Sequence, residues 1–66
     1  MKRVFAYTKE RKPLNSNPRM IKVLAGDGTA EVIKGYYQPN GFNYWFTMGA
    51  VQIDPFAWEV LEDEQD

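Results

Sequence analysis

The stretch RMIKVLAGDGTAEVIKGYYQ, residues 19–38, decides the fold of this 66-residue chain. Apolar side chains recur at every second position on both sides of its centre, which is the period of a β-strand. Ile21, Val23 and Ala25 fall on one side of the first strand, opposite Met20, Lys22 and Leu24. Gly26-Asp27-Gly28 supplies the positive-φ positions that a tight turn needs. The stretch therefore predicts a β-hairpin with strands over residues 19–25 and 29–38.

The remainder of the chain has the same character, with short β-branched and aromatic runs separated by turn residues. A polar loop with two prolines is predicted over residues 9–18, and a second turn at Pro39-Asn40-Gly41. Pro55 cannot donate to a strand ladder, so residues 55–58 are predicted to form one 3₁₀ turn. Further strands are predicted over residues 2–8, 42–48, 50–54 and 59–61.

This order of elements predicts one all-β domain over residues 1–66, built as a small SH3-like antiparallel barrel of about five strands. The barrel is expected over residues 19–61, with residues 2–8 as an additional N-terminal strand. That strand is expected either to cover an open barrel edge or to pair with a second copy of the chain. Residues 62–66 are expected to form a frayed acidic tail.

Composition excludes several kinds of chemistry. The chain has no cysteine and no histidine, which removes thiolate and imidazole catalysis and metal sites built on those ligands. We therefore expect no metal, no cofactor and no catalytic residue. Domains this small usually need disulfides, a metal or oligomerisation, so a homo-oligomer is expected alongside a dense aromatic core.

The net charge of −1 hides two oppositely charged halves. Residues 1–34 hold all eight basic residues and three acids, whereas residues 35–66 hold six acids and no Lys or Arg. The halves either neutralise each other across the domain or present a basic face to an anionic partner. No apolar run approaches the length of a membrane span, so we expect a cytoplasmic protein with no membrane partner.

Neighbouring aromatic residues alternate in direction along the predicted strands. Tyr36 falls opposite to Tyr37, and Trp45 falls opposite to its neighbours Tyr44 and Phe46. Most of these rings are expected in the core, since each buries about 150–250 Å². Trp45 and one of the two tyrosines are expected at the surface, as contacts for a partner.

The leading function is a small non-enzymatic protein-interaction module. Trp45 and Tyr36 or Tyr37 form its expected contact surface, because aromatic and arginine side chains supply most binding hot spots. The cations expected to join these rings are Arg11, Arg19 and Lys22.

Single-stranded nucleic-acid binding is an alternative that uses the same rings with Arg19 and Lys22. The pI of 5.3 is low for such a protein, because nucleic-acid-binding domains usually have pI values above about 9. Asp54, which precedes Pro55, is a candidate acid–base group and also an ordinary turn-initiating residue.

The run Val51-Gln52-Ile53-Asp54-Pro55 resembles the Val-Gln-Ile-Tyr-Pro signature of the type II dihydrofolate reductases. Ile33-Lys34-Gly35-Tyr36-Tyr37 and Pro39-Asn40-Gly41-Phe42 are similar to upstream segments of that family, so the resemblance spans residues 19–62. It implies an SH3-like barrel that assembles in four copies around a pore binding NADPH and dihydrofolate.

Under that resemblance, Gln52 and Ile53 hold the two ligand rings. Asp54 replaces the family's tyrosine, and the family's lysine position falls on Val23, with Lys22 adjacent. Four copies of Asp54 around a pore would repel anionic ligands, so these departures oppose the activity.

A second resemblance is to small uncharacterised prophage proteins. It is carried by Pro13, Lys22-Val23-Leu24, Gly41-Phe42 and Trp58-Glu59-Val60-Leu61 in that order. It implies a phage or mobile-element origin, which fits an inhibitor or adaptor protein.

Overall fold

A computed structural model describes residues 3–39 and 44–65. These residues are all-β, as predicted, with no α-helix among them. Part of the turn predicted at Pro39-Asn40-Gly41 and the start of the strand predicted over residues 42–48 lie outside the described residues, since these omit residues 40–43. The elements are β1 (Phe5–Tyr7), β2 (Arg19–Leu24), β3 (Ala30–Gln38), β4 (Tyr44–Thr47), β5 (Gln52–Ile53), β6 (Ala57–Glu59) and a 3₁₀ helix (Glu62–Glu64).

The strands form one antiparallel sheet in the order β1-β6-β2-β3-β4-β5. β2 to β5 pair in sequence order, β6 returns to pair with β2, and β1 extends the sheet beyond β6. Among the described residues, β1 and β5 do not pair, so the sheet is open and the predicted barrel is not confirmed. β5 is only two residues long and is soon followed by Pro55, which has no N–H for further pairing.

The predicted hairpin is confirmed, with Leu24 opposite Ala30 next to the turn. The Ala25 N–H donates to the Thr29 carbonyl at 2.8 Å, and the Gly28 N–H donates to the Ala25 carbonyl at 2.9 Å. Gly28 has a φ of 88°, which is a conformation that glycine adopts without strain. Gly28 therefore provides a positive-φ position of the kind predicted for this turn.

The hairpin extends beyond the rest of the sheet. β3 pairs with β4 only from Gly35 onward, and β2 pairs with β6 only at Ile21 and Lys22. Residues 23–34 therefore contain a two-stranded ribbon, called here the hairpin arm. Its two long edges have no strand partner among the described residues.

The core lies on one side of the sheet, called here the inner face. Ile21 and Trp58 are fully buried there, beside Tyr37, Trp45 and Val60. The Trp45 ring centroid lies 5.1 Å from that of Tyr37 and 6.2 Å from that of Trp58. Three rings in tilted contact thus supply much of the apolar area that a chain of this size buries.

Two predictions near the C-terminal end of the sheet are wrong. Residues 57–59 form β6 instead of a 3₁₀ turn, because Ala57 and Trp58 pair with Lys22 and Ile21 of β2. The 3₁₀ helix forms at Glu62–Glu64, where a frayed tail was expected. Glu64 is buried there, since its carboxylate has partners inside the protein.

The additional N-terminal strand is shorter than residues 2–8 but is present as β1. It covers the edge of β6, with Phe5 opposite Glu59 and Tyr7 opposite Ala57. No helix in the described part of the chain is long and apolar enough to cross a membrane.

Candidate interaction surface

Arg19, an expected contact residue, is a core residue with 2% exposure. Its Nη1 pairs with the Glu64 carboxylate, its Nη2 donates to Asn15 Oδ1 at 2.8 Å, and its Nε donates to the Asn17 carbonyl at 3.1 Å. The guanidinium also lies 5.2 Å from the Trp58 ring centroid. These internal partners occupy the charge of Arg19, and the contact with a partner that was expected of this residue stays a prediction.

Arg11 also binds within its own chain. Its Nη2 donates to the Glu64 carbonyl at 2.6 Å, and its guanidinium lies 5.7 Å from the centroid of the Trp58 ring. Its own carbonyl accepts the Trp58 Nε1–H at 3.0 Å. Arg11 thus fastens the loop before β2 to the core and to the 3₁₀ helix.

Trp45 and Tyr37 point inward, with exposures of 5% and 2%. They are opposite each other on β3 and β4, and Ile53 is opposite Trp45 on β5. The surface position expected for Trp45 is therefore wrong. Its Nε1 is buried and has no hydrogen-bond partner among residues 3–39 and 44–65.

Tyr36 lies on the other side of the sheet, called here the outer face. It is half-buried and stacks on Phe46, with ring centroids 5.7 Å apart and planes 24° apart. One of the two tyrosines is therefore outward, as the alternation required. Tyr36 is the only expected aromatic contact, among the described residues, that the structure leaves accessible.

Lys22 also lies on the outer face, where it is half-buried. Its Nζ sits 4.3 Å from the centroid of the Phe5 ring on β1. This cation–π contact extends the lysine side chain from β2 across β6 to β1.

The outer face also carries accessible apolar side chains that the contact surface inferred from sequence did not include. Leu24 is 65% exposed and Val32 is 51% exposed, on adjacent strands of the hairpin arm. The alternation along residues 19–25 predicts Met20 and Leu24 on the side away from Ile21. This period-two pattern is the sequence signal that could have identified the accessible apolar residues. The outer-face patch is defined as Met20, Lys22, Leu24, Val32, Lys34, Tyr36 and Phe46.

The outer-face patch is basic as well as apolar. Lys22 is opposite Val32, and Lys34 is opposite Met20, so the two ammonium groups flank the apolar residues. Glu59 lies on the same face of β6, but its carboxylate already binds Arg3 Nε at 3.3 Å and accepts the Met20 N–H at 3.2 Å. The patch therefore favours an acidic rather than a basic partner.

Gln52 and Ile53, the two residues expected to bind ligands under the reductase resemblance, form the edge strand β5. Gln52 is exposed on the outer face opposite Phe46, whereas Ile53 packs toward the core opposite Trp45. The two side chains thus point to opposite faces of one strand. A shallow cleft of about 460 Å³ joins them to Lys12 and Thr8, which follow β1.

Asp54 is exposed and lines this cleft and a neighbouring one of about 750 Å³, which Tyr7, Lys9 and Leu24 also line. Across residues 3–39 and 44–65, no three carboxylate groups come close enough together to hold a metal ion. Comparison of the chain with protein-family models, curated proteins and solved structures found no match.

Proposed function

We propose that this chain is a small non-enzymatic interaction module that binds a protein partner through the outer-face patch. The observation that carries the proposal is the pair of exposed aliphatic residues, Leu24 and Val32, on a ribbon projecting from the sheet. Contiguous exposed apolar side chains with a polar rim are typical of protein-interaction sites.

The chemistry of the patch indicates the kind of partner. Tyr36 and Phe46 offer a flat stacked pair, and aromatic residues are frequent binding hot spots. Lys22 and Lys34 add positive charge on either side. The complementary surface is an apolar ridge bordered by Asp or Glu, and the cations increase its association rate.

The strand order supports an SH3-like architecture for the module. Strands β2 to β5 pair consecutively and β6 returns to β2, which is the sequence of elements that favoured such a barrel at the outset. With β1 as an addition beyond β6, the open sheet keeps its outer face accessible. A phage or mobile-element inhibitor or adaptor is the role that we assign to a module of this kind.

The experiment is a pull-down with the immobilised chain, followed by calorimetric titration of the partner it retains. Leu24→Ser and Tyr36→Ala test the patch, while Leu14→Ser is the control, since Leu14 is 81% exposed on the loop before β2. Each patch variant should weaken binding by about tenfold or more, which corresponds to about 1.4 kcal/mol. Unchanged affinity in both patch variants contradicts the assigned surface.

A further inference from the structure

The turn of the hairpin contains Asp27-Gly28, an exposed pair that can react with itself. An aspartyl side chain followed by glycine closes to a five-membered succinimide ring, because glycine has no Cβ atom to obstruct the approach. The Gly28 nitrogen bonds to Asp27 Cγ, and its proton leaves with the Cγ hydroxyl as water. A water molecule then opens the ring at either carbonyl, which gives aspartate or isoaspartate.

Both reacting groups have other partners in the folded chain. The Gly28 N–H donates to the Ala25 carbonyl at 2.9 Å, so ring closure must break this bond. Asp27 Oδ1 accepts the Thr29 hydroxyl at 2.7 Å and the Thr29 N–H at 3.0 Å. These two bonds draw the carboxyl group toward Thr29 and restrict its rotation onto the Gly28 nitrogen.

The bonds from Thr29 also disfavour the reactive form of the Asp27 side chain. Ring closure proceeds from the neutral acid, because a carboxylate resists attack by a nucleophile and has no leaving group. The Thr29 hydroxyl, and after it the Thr29 N–H, lowers the pKa of the Asp27 carboxyl. The neutral acid is therefore rarer than in an aspartate without these bonds.

We propose that Asp27-Gly28 is a site of spontaneous isoaspartate formation, and that the partners Thr29 and Ala25 slow this reaction in the folded chain. Isoaspartate adds one carbon atom to the backbone between positions 27 and 28. The bond of 2.8 Å from the Ala25 N–H to the Thr29 carbonyl closes the loop around this pair, and a longer loop disturbs that closure. The modification should therefore loosen the end of the hairpin arm. It needs only water, so it does not depend on the function proposed above.

Tryptic mapping of the incubated chain measures the reaction at this pair alone. Cleavage after Lys22 and Lys34 releases residues 23–34, in which Asp27 is the only Asp or Asn. Chromatography separates the isoaspartyl and aspartyl forms of this fragment, which have equal mass. At neutral pH the chain unfolded in urea should form isoaspartate about tenfold faster or more than the folded chain, since unfolding removes all three hydrogen bonds.

Variants at Thr29 isolate the contribution of its hydroxyl. Thr29→Val removes the hydroxyl and should raise the rate in the folded chain by about threefold or more, whereas Thr29→Ser keeps the hydroxyl and the slow rate. Thr47→Val is the matched control, because it removes a hydroxyl from the turn between β4 and β5 and should leave the rate unchanged. Circular dichroism shows whether each variant is folded, and the urea comparison tests the proposal even if Thr29→Val is not.

The outcomes that overturn the proposal are distinct. Equal rates in the folded and the unfolded chain refute the protection, and an unfolded chain that forms no isoaspartate at position 27 refutes the site. A folded Thr29→Val variant that reacts at the rate of the unmodified chain refutes the role of the hydroxyl. Equal acceleration by Thr29→Val and Thr47→Val refutes it as well, since it indicates a general loosening of the fold.

Discussion

The guanidinium of Arg19 and the carboxylate of Glu64 form an ion pair inside the protein, with side-chain exposures of 0% and 3%. The same carboxylate accepts the Leu14 N–H at 3.3 Å and the Leu61 N–H at 3.2 Å. One acidic side chain thus holds together the first residue of β2, the loop before it and the 3₁₀ helix. The Arg19 guanidinium and the two N–H groups compensate for the cost of burying the Glu64 carboxylate in a small core.

Removing Glu64 should destabilise the fold strongly, because Arg19 is left buried without its counter-ion. We expect Glu64→Ala to lower the free energy of unfolding by about 3–5 kcal/mol. Urea titration followed by tryptophan fluorescence measures the change. Arg19→Met combined with Glu64→Leu should lose less than Glu64→Ala, since neither buried charge remains.

Glu62→Ala is the control for that measurement, since Glu62 is an exposed acid in the same 3₁₀ helix. Its effect should stay within about 0.5 kcal/mol of the unmodified chain. Similar losses for Glu62→Ala and Glu64→Ala contradict the role given to the buried pair. If Glu64→Ala does not fold, Glu64→Gln supplies the comparison, because it keeps the shape and removes the charge.

Gly35 should tolerate no side chain, because β3 passes close to β4 and β2 at that point. A Cβ atom there lies 2.6 Å from the Phe46 carbonyl oxygen and 2.8 Å from Ile21 Cδ1. The carbonyl belongs to the paired backbone of β4 and cannot move without loss of register. Gly35→Ala should therefore lower the free energy of unfolding by about 1–3 kcal/mol.

Gly26→Ala is the matched control, since a Cβ atom at Gly26 meets none of the described residues within 4 Å. We expect its stability to stay at or slightly above that of the unmodified chain, because alanine restricts the unfolded state. Equal destabilisation by the two variants, measured in the same urea titration, refutes the packing argument.

The hairpin was predictable because everything that specifies it is local. Alternation along residues 19–25 and the turn at Gly26-Asp27-Gly28 are properties of adjacent residues, and both are found in the structure. The prediction of a 3₁₀ turn at residues 55–58 was wrong because the structure of these residues depends on a distant part of the chain. Pairing of Trp58 with Ile21, far away in the chain, draws these residues into β6.

The direction of Trp45 shows the same limit at the candidate site. The sequence shows that Trp45 and Tyr44 point to opposite sides, but the pattern within one strand does not show which side is the core. That choice depends on the register with Tyr37 and Ile53 on neighbouring strands. Arg19 became a core residue through Glu64, a partner that no local pattern indicates.

The two tryptophans should differ in how well they tolerate loss of the indole nitrogen. Trp58 Nε1 donates to the Arg11 carbonyl at 3.0 Å, whereas Trp45 Nε1 is buried without a partner in the part of the chain that the structure describes. Trp58→Phe loses a hydrogen bond and weakens the contacts of Arg11 and Arg19, but Trp45→Phe removes an unsatisfied donor. We expect Trp58→Phe to cost about 1–2 kcal/mol more than Trp45→Phe.

Chemical denaturation monitored by circular dichroism compares the two variants, since each removes one fluorophore. Both exchanges delete the same atoms, so each serves as the control for the other. A larger loss for Trp45→Phe shows that its indole N–H has a partner in solution, such as a bound water, and contradicts the prediction.

The turn of the hairpin should respond to acid through Asp27. Its Oδ1 accepts the Thr29 hydroxyl at 2.7 Å and the Thr29 N–H at 3.0 Å. These two bonds, the hydroxyl first, lower the pKa of the Asp27 carboxyl below its ordinary value. The folded state therefore favours the carboxylate, and its contribution to stability is present above the ordinary pKa and lost as the pH falls through the lowered one.

Thr29→Val removes the hydroxyl donor and keeps the backbone N–H, so the pKa of Asp27 should rise part of the way toward its ordinary value. An NMR pH titration of the carboxyl carbon measures this shift directly. Thr47→Val is the control, because the Thr47 hydroxyl accepts the Gly49 and Val51 N–H groups in another turn. An Asp27 pKa that is the same in Thr29→Val as in the unmodified chain means that the hydroxyl bond does not persist in solution. In that case the turn rests on the Thr29 N–H bond to Asp27 and on the positive φ of Gly28.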